Sequence, residues 1–233
     1  MSKARRKKRS GLGSPDSLVI IGVGAVIVAL TLIVLGGGFA PPTTPPSGTT
    51  GAASAQGLVL CNGKPCPMRG QADAPVTLIE VSDYACSACR AFNLSTAAIL
   101  VDRYVKTGKV RHVSHVFALW PESQASAAAS LCANEQDKYW EFHRQAFVNQ
   151  KQEGFPAAAD FLDWGQQIGL DSASFAECVN SGRYAQDAQM SAFEGQRAGV
   201  SSTPTFFING RMIRGNAPLD QFERAIEAAL AGQ

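Results

Sequence analysis

Residues 86–89 read Cys-Ser-Ala-Cys and stand where an apolar run, Val76 to Ser82, gives way to an amphipathic stretch. The run predicts a strand, and the stretch predicts a helix that begins at Cys86. A thiol at a helix N-terminus meets unpaired backbone N–H groups and the positive end of the macrodipole. Both favour the thiolate, the form that attacks disulfides. A second thiol in the same helical turn can close onto the first, so the pair stores and releases two electrons as a disulfide. That is redox chemistry. Cys89, one turn into the helix, is expected to be the more buried thiol. A competing reading is half of a zinc site, but structural zinc takes four ligands and the chain has no second Cys-x-x-C. His112 and His115 fall on opposite faces of a predicted strand, so they cannot meet one ion. No metal and no cofactor are expected.

Four further cysteines and one acid carry chemical meaning. Cys132 and Cys178 lie 46 positions apart in a helical stretch, outside any redox motif. They are read as a structural disulfide, with two buried thiols as the other reading. Chain-entropy arithmetic gives such a bridge about 4 kcal/mol, a model-dependent figure. Cys61 and Cys66 flank Asn62-Gly63-Lys64-Pro65, turn residues that bring them together. A local clip is the reading, and a second redox pair is the alternative. Glu80 is a carboxylate inside the apolar strand, six residues before Cys86. Burying it is costly unless it has a function; the alternative is an acid reaching solvent at a sheet edge. Burial and a nearby thiolate would both raise its pKa. Replacing it with glutamine would then leave the fold no less stable, because the desolvation cost disappears.

The elements that position these residues follow from periodicity. Residues 86 to about 106 read as one helix, with Leu94, Ala97, Ala98, Val101 and Val105 on one face and Gly108 at its end. Val110 to Phe117 is a second strand. The stretch from Pro121 to about Gly199 is mostly helical, broken at Gly154-Phe155-Pro156, Gly165, Gly169 and Gly182, and forms a helical subdomain over about 120–199. Tyr139, Trp140, Phe142, Phe147, Phe155, Phe161 and Trp164 are its expected core. Thr205 to Ile208 and Arg211 to Arg214 flank Asn209-Gly210, a strong hairpin signal. Residues 218–231 close as a helix, with Pro218 at its start. The order builds an α/β fold: a mixed sheet with helices on both faces and a helical insertion.

Composition sets the address. Six basic residues lie within the first ten positions, and the remainder carries 15 Lys and Arg against 19 Asp and Glu, about −4. Residues 18–40 contain no charged side chain and match the length needed to cross a ~30 Å hydrocarbon core. This reads as a basic cytoplasmic tail at 1–17 and a transmembrane anchor at 18–40. Residues 41–56 are a Pro/Thr/Gly-rich linker, and 57–233 form the extracytoplasmic domain. The alternative is signal cleavage near Ala40 and secretion, but signal cores are usually shorter. The span argues against a nucleic-acid role for the basic tail. All six cysteines follow the span, which suits an oxidising compartment.

Two motifs carry a resemblance: Glu80-Val81-Ser82-Asp83-Tyr84-Ala85-Cys86-Ser87-Ala88-Cys89 and Val200-Ser201-Ser202-Thr203-Pro204-Thr205-Phe206-Phe207-Ile208-Asn209-Gly210. A weaker match is Leu131-Cys132-Ala133 with Tyr139-Trp140-Glu141-Phe142-His143. Over about 75–233 the chain resembles the DsbA-like thioredoxin-fold thiol:disulfide oxidoreductases. The resemblance implies a thioredoxin fold with an inserted helical subdomain. It makes Cys86 the nucleophile and Cys89 the resolving thiol, and implies a cis-proline loop at Thr203-Pro204 that meets substrate. Glu80 becomes a buried acid that moves a proton to or from Cys89. It also implies unfolded or reduced exported proteins as substrates and a quinone-linked membrane redox partner. A monomer is expected. Ser87-Ala88 replaces the Pro-His of the best-known exported oxidase, which implies a less extreme thiol pKa and a less oxidising couple. Two other functions compete: a reductase or isomerase of exported disulfides, and a non-catalytic tethered binding module.

Overall fold

A computed structural model of the chain describes residues 60–150 and 155–232. The expected basic tail, membrane span and linker lie outside the described residues. Among the described residues, no helix is long and apolar enough to cross a membrane.

The central strand is β4 (Val76–Ser82), buried at all but one position. It pairs in parallel with β5 (Val110–Val116) and antiparallel with β6 (Thr205–Ile208). The Asn209-Gly210 turn leads to β7 (Arg211–Arg214), antiparallel to β6. A two-residue edge strand, β3 (Met68–Arg69), pairs antiparallel with β5 and completes the order β3-β5-β4-β6-β7. It has no signal in the sequence because two residues are too few for periodicity. Ahead of it, β1 (Leu60–Cys61) and β2 (Lys64–Pro65) form a separate hairpin closed by the Cys61–Cys66 disulfide.

Alternation along β4 sorts its side chains. Val76 and Leu78 pack with Phe92, Leu100, Phe206, Phe222 and Ile226, while Ile79 and Val81 pack on the other face with Val113, Phe117 and Phe207. Glu80 therefore shares the face of Leu78, toward the helix that carries Cys89.

That helix is not continuous over 86–106. It comprises α1 (Ser87–Leu94), then α2 (Thr96–Leu100), which runs into a π-helical turn at Val101–Val105. The break falls at Ser95, whose hydroxyl bonds the Ala91 carbonyl at 2.6 Å and competes with the helical pattern. The buried stripe is consequently Phe92, Ala97, Leu100, Tyr104 and Val105, and Ala98 is exposed.

The helical block resolves into α3 (Pro121–Asn134), α4 (Tyr139–Val148), α5 (Ala158–Gln167), α6 (Ser172–Ser181) and α7 (Ala185–Arg197). Gly182 ends α6 in the left-handed region, at φ 66°. Gly165 is not a break. It lies buried inside α5, where a Cβ would come within 2.7 Å of the Phe175 ring, so it serves the close approach of α5 and α6. Cys132 and Cys178 are joined, Cα–Cα 5.8 Å, tying α3 to α6 inside this core. Two of the expected core aromatics differ. Phe155 is exposed, and Trp140 is half-buried under the Arg69 guanidinium, 3.9 Å from its ring centroid. The closing helix, α8 (Leu219–Leu230), covers the sheet through Phe222 and Ile226.

Candidate functional site

Cys86 is the N-cap of α1, with extended backbone, and its Sγ accepts the Cys89 backbone N–H at 3.3 Å. The preceding loop is built by Asp83. Its carbonyl accepts from Cys86 N at 3.0 Å, and Oδ1 accepts from Ala85 N at 2.7 Å. Oδ2 accepts from Leu119 N and Ser123 Oγ, fastening the loop to the end of β5 and the start of α3. From the helical block, Gln150 Nε2 donates to the carbonyls of Tyr84 and Cys86, and Arg90 Nε donates to that of Phe147. Opposite stands Thr203-Pro204, whose peptide bond is cis. The Cys86 sulfur lies 3.3 Å from the Thr203 carbonyl oxygen.

Position along the helix separates the two thiols, both of which are free. Contact with Cys89 lowers the Cys86 pKa to about 6; burial opposes this, while Thr203 and the N–H groups of Cys89 and Ala88 assist it. Cys89 is fully buried, and burial first, then the neighbouring Cys86, pushes its thiol far above the ordinary range. At neutral pH Cys86 is largely thiolate and Cys89 is a thiol.

Beneath the pair lies a buried polar network. Glu80 Oε1 accepts from Asn93 Nδ2 at 2.6 Å, and the same nitrogen donates to the Cys89 carbonyl at 3.1 Å. Glu80 Oε2 lies 3.0 Å from His112 Nε2. Arg69 Nε donates to His112 Nδ1 at 3.1 Å, so that nitrogen is the acceptor and Nε2 carries the proton toward Glu80. His143 Nε2 lies 3.0 Å from Asn93 Oδ1, and its Nδ1 is 2.9 Å from the Tyr84 hydroxyl. Burial alone would push Glu80 up; the hydrogen bonds of His112 and His143 outweigh it and hold the carboxyl well below its ordinary value. Burial lowers His112 to about 4, with the Arg69 charge assisting. The network at neutral pH is thus an ionised Glu80 beside a neutral His112. This reverses the raised Glu80 pKa expected from burial, because the partners that decide it come from β5 and α4.

A family model described as Thioredoxin matches residues 64–228. The chain belongs to the thioredoxin family. Two curated relatives of this thioredoxin-family chain differ in kind. "Disulfide bond formation protein D" of Bacillus subtilis is 25% identical, over 72% of the chain and 78% of the relative. "Na(+)/H(+) antiporter NhaA 3" of Salinispora tropica is 31% identical over 70% of the chain, but the chain spans only 24% of that protein's length. Among solved structures, oxidised BdbD from Bacillus subtilis superposes with a TM-score of 0.67 at 24% identity, covering 72% of the chain and 94% of BdbD. The DsbA-like resemblance read from the motifs agrees with the disulfide bond formation protein and with BdbD.

Within the thioredoxin fold, the residues singled out in sequence fall into three places. Cys86, Cys89, Thr203 and Pro204 come together at one end of β4, with Glu80 below them. Asn93 stands between Glu80 and the Cys89 backbone carbonyl. Cys132–Cys178 is a separate disulfide within the helical core. Cys61–Cys66 lies on the opposite face of the sheet, where His115 meets it. Sequence reasoning missed Arg69, Asp83, Asn93, His112, His143 and Gln150 as members of the site. Asn93 was within reach, since it sits four residues after Cys89 on the same helical face.

Proposed function

We propose that this chain is a thiol:disulfide oxidoreductase that introduces disulfides into exported proteins through Cys86 and Cys89. The observation that carries the reading is the Cys86 sulfur at the N-cap of α1, with a pKa near 6, over a buried Cys89. A stabilised thiolate favours the reduced form of the pair, so the oxidised form gives up its disulfide readily. In the oxidised chain, a substrate thiolate attacks Cys86 Sγ and Cys89 leaves, taking a proton. A second substrate thiolate then attacks the substrate sulfur of the mixed disulfide, and Cys86 leaves as its stable thiolate. Two electrons pass to the chain, and the substrate gains a disulfide. The Thr203 carbonyl and Pro204 line this position and would align an extended substrate segment. Leu119 and Trp120, which follow β5 and are tied through Asp83 to the Cys86 loop, offer it apolar surface at 42% and 61% exposure. Glu80 is given a positioning role: its carboxylate holds Asn93, which holds the α1 backbone at Cys89.

The uncharged run at 18–40 and its basic flank support a membrane-anchored chain with an extracytoplasmic domain. A quinone-linked membrane protein would reoxidise the pair. The test mixes the oxidised chain with a reduced, unfolded protein and follows disulfide transfer. Rapid loss of substrate thiols, and accumulation of mixed disulfides at Cys86 in Cys89→Ser, are expected. Transfer that persists in Cys86→Ser would refute the assignment, and the absence of any exchange would favour a binding module.

A further inference from the structure

The Cys61–Cys66 disulfide lies on the sheet face opposite the Cys86 site, packed with Ile79, Val81, Val113 and Phe207. His115, fully buried, meets it. Its Nδ1 is 3.7 Å from Cys61 Sγ and 3.6 Å from Cys66 Sγ. Its other nitrogen, Nε2, is 2.8 Å from the Ser191 carbonyl oxygen, an atom that can only accept. Nε2 therefore carries the proton of the neutral ring, and Nδ1 turns its basic nitrogen toward the two sulfurs. An imidazole whose far N–H is fixed by a carbonyl is the arrangement that metal-binding histidines use.

The distances agree with this chemistry. In tetrahedral zinc sites with Zn–S of about 2.3 Å and Zn–N of about 2.0–2.1 Å, adjacent sulfur and nitrogen ligands stand about 3.6 Å apart. Both sulfur–nitrogen separations here are already of that size. The potential ligand atoms of Cys61, Cys66 and His115 all lie within 4.8 Å of one another. Opening the bond must carry the two sulfurs from bonding distance to a ligand edge of about 3.8 Å.

We propose that Cys61, Cys66 and His115 form a redox-gated site for a soft divalent ion of the zinc type, closed while the disulfide stands and opened by its reduction. A dithiol reductant would pass two electrons and two protons to the cysteines and itself become a disulfide. The ion would then bond both sulfurs, releasing their two protons to solvent, and bond Nδ1 with no change of proton. The fourth position of the tetrahedron would be taken by a water molecule that enters with the ion. Oxidation of the pair by another disulfide would reverse the sequence and expel the ion. The cluster shares no residue with the Cys86 site, so the proposal stands apart from the disulfide-transfer reading. His112 and His115 do not share one ion, since His112 belongs to the Glu80 network on the other face of the sheet.

The test uses the full chain carrying Cys86→Ser and Cys89→Ser, which removes the other thiol pair able to hold metal. A phosphine reduces it, taking up oxygen from water as it becomes the phosphine oxide, and mass analysis establishes that Cys61 and Cys66 are thiols. Co2+ is added and then displaced by Zn2+. Equimolar metal is expected, with a thiolate-to-cobalt charge-transfer band and tetrahedral d–d bands that Zn2+ abolishes. The oxidised chain retains none, and adding Cys61→Ser and Cys66→Ser, or His115→Gln, removes the band. Should those variants fail to fold, alkylation mapping of the parent chain decides: Zn2+ must protect Cys61 and Cys66 and not Cys132 or Cys178. A pair that the phosphine cannot open in the folded chain, no retained metal, an octahedral cobalt spectrum, or protection confined to Cys132 and Cys178 would each overturn the proposal.

Discussion

Asn93 donates one amide hydrogen to the Glu80 carboxylate at 2.6 Å and the other to the Cys89 carbonyl at 3.1 Å. The buried acid therefore reaches the active-site helix through its backbone. Both Glu80 oxygens are occupied as acceptors, one by Asn93 and one by His112.

This arrangement changes what Glu80→Gln should do. An amide must turn a donor toward one of two donors, leaving buried N–H groups unpaired. We expect a loss of about 1–3 kcal/mol in unfolding free energy, against the neutral outcome that removal of a buried charge alone would predict. Denaturant unfolding of the oxidised chain measures it. An unchanged midpoint would show that the network rearranges to accommodate the amide.

Cys86 should react with iodoacetamide in a pH profile whose midpoint lies near 6, matching its lowered pKa. Cys89 should stay unlabelled in the folded chain, because burial keeps it protonated and covered. Mass mapping after alkylation at mildly acidic pH reads both. A Cys86 midpoint in the ordinary thiol range would remove the basis for an oxidising pair.

His112 makes stability depend on acid. Its pKa falls from 6.5 to about 4 on folding, so between these values the unfolded chain binds the proton and the folded chain does not. Stability is then full above about pH 6.5 and declines as pH falls toward 4. Thermal midpoints across this window should drop, and His112→Gln should flatten that part of the curve while lowering its plateau. An identical slope in the variant would assign the acid sensitivity to other groups.

Replacing both Cys132 and Cys178 with alanine should cost up to about 4 kcal/mol, the entropy of the 46-residue separation. Disulfide transfer measured below the new unfolding midpoint should persist, since this bridge joins α3 to α6 within the helical core and is not one of the two free thiols. Loss of transfer in a folded variant would give the bridge a part in the chemistry.

The local signals in the chain were enough to mark the Cys-x-x-C at a strand-to-helix junction, the Asn209-Gly210 hairpin and the helical insertion. Each depends on residues close in sequence: spacing, periodicity and turn chemistry. The thioredoxin class followed from two short motifs for the same reason. What tertiary structure decided depends on register and docking. The parallel pairing of β4 with β5 sets Leu78 opposite His112 and Glu80 opposite Ser114, which puts His112 on the Glu80 face. The same register sets Val81 opposite His115 and sends that ring to the other face, against Cys61 and Cys66. Docking of α4 brings His143 to Asn93. Burial of Glu80 was legible in its apolar strand, but the direction of its pKa was not. A pKa follows the hydrogen bonds a buried group receives, and these arrive from segments 13 to 63 residues away in the chain.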